Sequence, residues 1–361
     1  TVKEHVIEAR LRHYPGALAA SLFEDNIPEE VYLNLIKAVH AKLPALHDYF
    51  ALRSRVLGLK KLDVYDLYTP LVPKQHRKYK WNEAVKLVKE ALQPLGAEYS
   101  AILDRAFAER WVDVMECKGK RSGAYSSGCY DSNPYLLLNY HGTLNDVFTL
   151  AHELGHSLHS YYSNTHQDYH YAGYSIFAAE VASITNELLL SRHLMKHTTD
   201  PDFQAYLLNH LADEVRGTIF RQTMFAEFEL DIHRKAEVGE PLVSDLLNRE
   251  YFALKSKYLG SHFKPDPLIE VEWARIPHFY YDFYVYKYAT GMAAAMQLAD
   301  RILSDQEDGV TPYLNFLKAG DSKDVLDILG DAGVDLRRVE VIEAALEQFD
   351  STVQRLGVLL R

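Results

Sequence analysis

From Val2 to about Glu109 the apolar residues recur at the three-and-four spacing of an amphipathic helix, as in Val31, Leu33, Leu35, Ile36 and Val39 and again in Ala84, Val85, Leu87, Val88 and Leu92. Several helices are expected there. Pro28 with Glu29 and Glu30 suits a first helical turn, where proline's missing N–H costs nothing and negative charge faces the helix dipole. Thr69-Pro70 and Val72-Pro73 mark a loop between helices. Between Trp111 and Tyr140 the rhythm changes: WVDVM and PYLLLNY alternate or run apolar around the Gly/Ser/Asn-rich centre SGAYSSGCYDSNP, which predicts a small sheet. Pro134 opens the second run, and because proline cannot donate to a ladder that run is expected at a sheet edge.

After Gly142 the helical spacing returns and persists to the end, with breaks near Thr165, Pro201, Gly239 to Pro241 and Lys264 to Pro267. The expected fold class is mainly α with a minor β-sheet. No repeat or low-complexity linker separates parts that could stand alone, so residues 1–361 are read as one catalytic domain: a helical lobe over 1–110, a small sheet over 111–143, and metal-binding and C-terminal helices over 144–361.

Composition narrows the function. Hydrophobic residues make up 48% and aromatic residues 12%, which excludes disorder. A net charge of −11 disfavours nucleic acid and anionic membrane surfaces as partners. The basic stretch Lys74 to Lys80 reads as a solvated loop. Two cysteines, Cys117 and Cys129, are too few for a disulfide framework and fit a reducing compartment. With Lys3, Glu4, Glu8, Arg10 and Arg12 ahead of any apolar run and no uncharged stretch of about 18 residues, the expectation is a cytoplasmic protein without leader or membrane span.

The sharpest feature is His152-Glu153-Leu154-Gly155-His156. Positions four apart stack on one helix face, so both imidazoles can reach one ion at about 2.0 to 2.1 Å. Leu150, Leu154 and Leu158 repeat on a different side and give the helix a face to bury. With 17 histidines the motif would arise by chance in roughly one such chain in twenty, so a third ligand decides the matter. His159 and Tyr162 stand where the metzincin continuation needs Gly and His, which excludes that branch. Glu180 lies in an otherwise apolar stretch from Tyr174 to Ile184, where a carboxylate is costly unless paired or metal-bound. His166 and His170 in the intervening loop are its rivals. Glu187, two turns beyond Glu180, is either a partner for a ligating histidine's second N–H or a surface glutamate. His159 falls past the ion and is expected to pack or hydrogen-bond.

With one Zn2+ so held, the chemistry expected is hydrolysis: the ion acidifies a water, and the unligated Glu153 takes its proton and returns it to the leaving amine. Donors for the oxyanion must come from elsewhere, and the segment RIPHFYYDFYVYKYATG offers His278 with Tyr281, Tyr284 and Tyr288, which would share one face if helical. Core packing is the competing reading for each tyrosine. A peptide backbone is held by adding it to a strand edge, and Gly123, Ala124 and Tyr125 within SGAYSS are the candidates, with a structural hairpin as the alternative.

Six motifs in order, KRSGAYSSG, PYLLLNYHGTLNDVFTLAHELGHSLHS, YSIFAAEVASITNE, RQTMFAEFE, IPHFYYDFYVYKYATG and FLKAGDSKDVLDILGDAGVD, resemble the thimet oligopeptidase family of zinc peptidases, and within it the oligoendopeptidase F branch. They span roughly residues 110 to 340, and LGLKKLDVYDLY extends the likeness toward the N-terminus. The resemblance implies a zincin-like helical fold, zinc on His152, His156 and Glu180, Glu153 as base, and cleft donors among His278 and the tyrosines after it. It also implies a deep channel that admits short peptides, part of whose wall is a helical region preceding the segment this chain contains. The rival functions are an exopeptidase with the same helix motif and a peptide-binding protein whose metal site is structural or lost.

Overall fold

The computed structural model describes residues 1–72, 77–264, 266–304 and 309–361. Pro73 to His76, which include the start of the basic stretch, and Pro265 in the expected break lie outside the described residues. Helices dominate: α1 (Val2–Leu11), α2 (Ala17–Phe23), α3 (Glu29–Ala41), α4 (Leu43–Val56), α5 (Trp81–Ala91) and α6 (Gly96–Ala108) precede the strands β1 (Val112–Asp113), β2 (Tyr125–Ser127) and β3 (Tyr135–Leu137). Then follow α7 (Leu144–His166), α8 (Ile176–His197), α9 (Pro201–Val215), a π-helical turn (Arg216–Phe220), α10 (Arg221–Glu237), α11 (Ser244–Leu259), α12 (Tyr286–Leu303), α13 (Thr311–Lys318), α14 (Val325–Asp331) and α15 (Glu340–Leu359). Among the described residues no helix is long and apolar enough to cross a membrane.

The chain forms two compact units, each assembled from separated segments. One comprises Thr1–Pro73, Ala205–Thr290 and Arg337–Arg361; the other comprises Lys74–Gln204 and Gly291–Leu336. In the first, Tyr32, Leu35, Tyr49, Phe50, Phe220 and Phe349 are buried to within 2% of full occlusion. The Tyr32 hydroxyl, taken out of water, donates to the Ala226 carbonyl at 2.7 Å, which satisfies the one polar atom of a buried ring.

The second unit is built around α7. Thr143 caps it: its hydroxyl accepts the Asp146 N–H at 3.2 Å, and the Asp146 carboxylate accepts the Thr143 N–H at 2.8 Å. Leu150, Leu154 and Leu158 are each fully buried, worth about 1.5 to 3 kcal/mol apiece. A buried polar link ties three helices together: the Tyr99 hydroxyl of α6 donates to Asn186 of α8 at 3.1 Å, and the Asn186 amide donates to the Ala151 carbonyl of α7 at 3.1 Å. Gly155 permits the close pairing of α7 and α8, since a Cβ there would lie 2.5 Å from the Ser183 Cα and 2.8 Å from the Ala182 carbonyl oxygen.

The sheet corrects one expectation. Its order is β1-β3-β2, with β3 parallel to β1 and antiparallel to β2, so the run after Pro134 is the central strand and β2 is an edge. Pro134 stands before the first ladder residue, Tyr135, and so withholds no N–H that the ladder uses. Cys117 and Cys129 are both free and exposed.

Candidate metal centre

Helices α7 and α8 bring His152, His156 and Glu180 together, with one ligand atom of each within 4.8 Å of the others. The His152 and His156 Nε2 atoms are 3.1 Å apart, and the Glu180 Oε2 lies 3.7 Å from the first and 3.9 Å from the second. Ligands about 2.0 to 2.1 Å from a tetrahedral cation are about 3.3 Å from one another, so this triangle is the size such an ion requires.

The proton inventory supports the same reading. The Nδ1–H of His152 donates to the Glu187 carboxylate at 2.6 Å, which turns the Nε2 lone pair toward the other two ligands. A ring N–H of His156 is held by the Ala179 carbonyl. The facing nitrogens are therefore two lone pairs that need a shared cation, either a single proton or a metal ion in its place. Their basicities diverge accordingly. Burial pulls His152 down, but the Glu187 bond and the charges of Glu187, Glu180 and Glu153 outweigh it and lift it to about 9. Burial and the charge on His152 push His156 down to about 4.

Glu153 is buried at 6% exposure. Burial raises its pKa, as do Glu180 and Glu187, against the pull of His152 and of the Ser126 N–H that it accepts. That N–H comes from the edge strand β2, which is locked to α7 by a 2.7 Å hydrogen bond between the hydroxyls of Ser126 and Ser157. The strand thus holds the carboxylate, a link that residue spacing alone did not reveal. Gly123, with φ +89°, and Ala124 line a cavity of about 290 Å3 beside Asn139 and Thr149, and Tyr125 opens β2 half exposed.

His159 lies away from the triangle, 1% exposed and stacked on Tyr174 with ring centroids 3.8 Å apart. Of the rival ligands, His166 turns its Nδ1 to the Tyr162 carbonyl at 2.9 Å, and His170 stacks edge-on with Tyr169.

His278, Tyr281, Tyr284 and Tyr288 belong to the other unit, where they form one aromatic cluster: the tyrosine centroids lie 5.8 to 6.1 Å from that of His278, and the Tyr288 hydroxyl is 3.4 Å from its Nε2. The expected helix through them is corrected. A 3-10 turn covers Pro277–Tyr280 and α12 starts only at Tyr286, because Asp282 and Phe283 take left-handed φ of 43° and 57°. Burial and the Arg221 charge lower the pKa of His278.

Among the described residues a second group, His5, His233 and Asp282, meets the same distance test. Its geometry differs. The His5 and His233 rings are parallel within 2° with centroids 5.4 Å apart and nitrogens 3.1 Å apart, which sets the nitrogens head-on, as a shared proton requires. His152 and His156 instead meet at 81° with centroids 4.8 Å apart, so that their nitrogens converge to one side, where an ion can sit.

Comparison with known proteins agrees with this architecture. The model of peptidase family M3 matches residues 1–348. Oligopeptidase PepF of Bacillus subtilis is 50% identical over 360 residues, covering 100% of this chain and 54% of that protein. Group B oligopeptidase PepB of Streptococcus agalactiae is 47% identical over 359 residues, covering 99% of this chain and 60% of that protein. The crystal structure of oligoendopeptidase-F from Enterococcus faecium superposes with a TM-score of 0.81 at 38% identity, over 99% of this chain and 58% of that one. The chain thus spans between half and two thirds of the length of the relatives it matches.

Proposed function

The chain belongs to peptidase family M3, and from that premise we propose that it carries the catalytic core of a zinc-dependent endopeptidase that cleaves internal bonds of short oligopeptides. The observation that carries this reading is the triangle of His152, His156 and Glu180 with the buried, unligated carboxylate of Glu153 on the same helix. Two imidazoles and one carboxylate are the donor set of hydrolytic zinc sites, which keep a fourth position for water. A zinc ion held there would acidify that water and polarise the scissile carbonyl.

The protein's own groups do the rest. Glu153 takes the water's proton on its carboxylate and passes it to the departing nitrogen. Burial raises its pKa, which makes the carboxylate a better proton acceptor, and the Ser126 N–H limits the carboxylate's swing. Glu187 fixes the His152 tautomer. We assign Gly123, Ala124 and Tyr125, just before and at the start of the edge strand β2, to holding an extended peptide. For His278, Tyr281, Tyr284 and Tyr288 the support is chemical alone: phenols and imidazole are the O–H and N–H donors that a developing oxyanion requires.

The test is cleavage of an internally quenched peptide blocked at both ends, with product masses read with and without a chelator. Internal cleavage that chelation abolishes and zinc restores is expected, and Glu153→Gln should retain zinc while losing at least about 100-fold in rate. Chelator-insensitive turnover, or release of terminal residues only, overturns the proposal.

A further inference from the structure

The unit that holds α10 and α11 contains a cavity of about 130 Å3 that the hydrolytic reading does not use. Leu46, Phe50, Phe220, Met224 and Leu259 give it an apolar wall, and Arg221, Lys255 and Glu272 meet at one side. Its volume is close to that of an apolar cavity of about 150 Å3 that takes up benzene, so it accommodates one leucyl or phenyl group.

The polar side is unbalanced. Glu272 accepts from Lys255 and from the Tyr251 hydroxyl at 2.7 Å each on one oxygen, and from Arg275 at 2.7 Å and Arg221 at 3.4 Å on the other. One carboxylate thus answers three cations. Arg275 is 63% exposed and water-solvated, but Arg221 is 32% exposed and lines the cavity; its guanidinium stands 4.8 Å from the centroid of the Phe225 ring, and its one carboxylate contact is the long, shared one to Glu272. The remaining lining cation, Arg216, is paired with Asp213 at 3.1 Å.

The backbone is open at the same place. The π-helical turn Arg216–Phe220 borders the cavity, and a Cβ on Gly217 would meet nothing within 4 Å, so main chain stands bare beside the opening. Short π-helical insertions recur at binding sites because they widen the helix and loosen its carbonyls.

We propose that this cavity binds an organic monocarboxylate bearing one leucine- or phenylalanine-sized apolar group, with the group in the cavity and the carboxylate on Arg221. The chemistry fits the free C-terminal residue of a peptide, and that choice of source is the only part resting on the peptidase reading. A charge-assisted bidentate bond to Arg221 relieves the excess of positive charge, and the apolar group leaves water.

The experiment needs no turnover. With the protein labelled at its methionine methyl groups, the Met224 signal, assigned through Met224→Leu, is followed during titration with N-acetyl-phenylalaninate, N-acetyl-phenylalaninamide and hexanoate. The phenyl ring current should shift Met224 saturably with the acid, and the amide should bind at least about tenfold more weakly, the loss expected for one charge-assisted bond. Arg221→Met should weaken the acid by the same factor and leave the amide unchanged. Hexanoate binding as tightly as the acylated amino acid supports the monocarboxylate site with a lipid-derived source, whereas much weaker hexanoate binding supports the peptide source. The proposal is overturned if acid and amide bind alike, if Met224 does not move at saturation, or if Arg221→Met has no effect. Carboxylates bound at the histidine site would leave Met224 and Arg221→Met silent, so failure here is distinct from failure of the peptidase reading.

Discussion

The contact between His152 and Glu187 decides how the candidate metal centre should behave with pH. The Glu187 carboxylate, together with the nearby acids, holds a proton on His152 up to about pH 9, and any metal ion must displace that proton. Zinc affinity should therefore climb with rising pH until about 9, with one proton released on binding below it. Glu187→Gln removes the largest support, so the climb should end at lower pH, and above about pH 9, where the proton no longer competes in either protein, the affinity should be about 10- to 100-fold lower. Chelator competition across pH in both proteins checks this, and unchanged curves would show that Glu187 does not act on metal affinity through His152. Without metal the sign reverses for stability: the raised His152 contributes fully below its ordinary value of 6.5 and loses that contribution as pH rises through about 9. At this scale the sequence was informative about the two imidazoles, because helical spacing dictates that His152 and His156 align on one face. It left Glu187 undecided, because whether a side chain two turns on meets a partner depends on the crossing of two helices.

That crossing is set by Gly155. Replacing it with Ala drives a methyl into the Ser183 Cα and the Ala182 carbonyl, both backbone-level obstacles that no rotamer change relieves. Gly155→Ala should cost about 1 to 3 kcal/mol in denaturant unfolding and weaken zinc binding as α8 carries Glu180 outward. A variant with wild-type midpoint and affinity would refute the close-approach argument. The helices themselves were readable from apolar period, as with the Val31 to Val39 run inside α3 and the three leucines beneath α7. Two elements were not. Pro134 signals where a strand cannot donate, yet one position before the ladder it says nothing about which side is open. The tyrosine segment carries helical spacing, but non-glycine residues in the left-handed region at Asp282 and Phe283 interrupt it, a conformation that only tertiary contacts, such as the Phe283 N–H to the Glu229 carboxylate at 2.8 Å, impose.

Across the whole molecule, charge buried within the units governs tolerance to acid. Burial alone would raise Glu272, but Lys255, the Tyr251 hydroxyl and Arg221 hold it down at about 2, while the cost of desolvation appears on Lys255, whose pKa is lowered. Because its folded pKa lies below its ordinary value of 4.5, Glu272 stabilises the fold fully above that pH and loses the contribution as pH falls toward 2. Unfolding free energies measured between pH 6 and 2.5 should fall more steeply for the wild type than for Glu272→Gln, and parallel slopes would place the acid sensitivity elsewhere. Lys255→Met takes one charge-assisted hydrogen bond from the carboxylate, which keeps Arg275, Arg221 and Tyr251, and should cost about 1.5 to 3 kcal/mol at neutral pH. The division into two units was not legible in composition: two of its four boundaries, after Gln204 and after Thr290, fall inside α9 and α12, whose apolar period runs on unbroken. This interleaving has a consequence for biosynthesis. One core waits for residues up to Leu336 and the other for residues up to Arg361, so a ribosome must extrude nearly all of this segment before either interior can seal. Until α13 emerges, the face that α7 turns toward it stays uncovered, and apolar surface exposed in this way during synthesis is prone to aggregate.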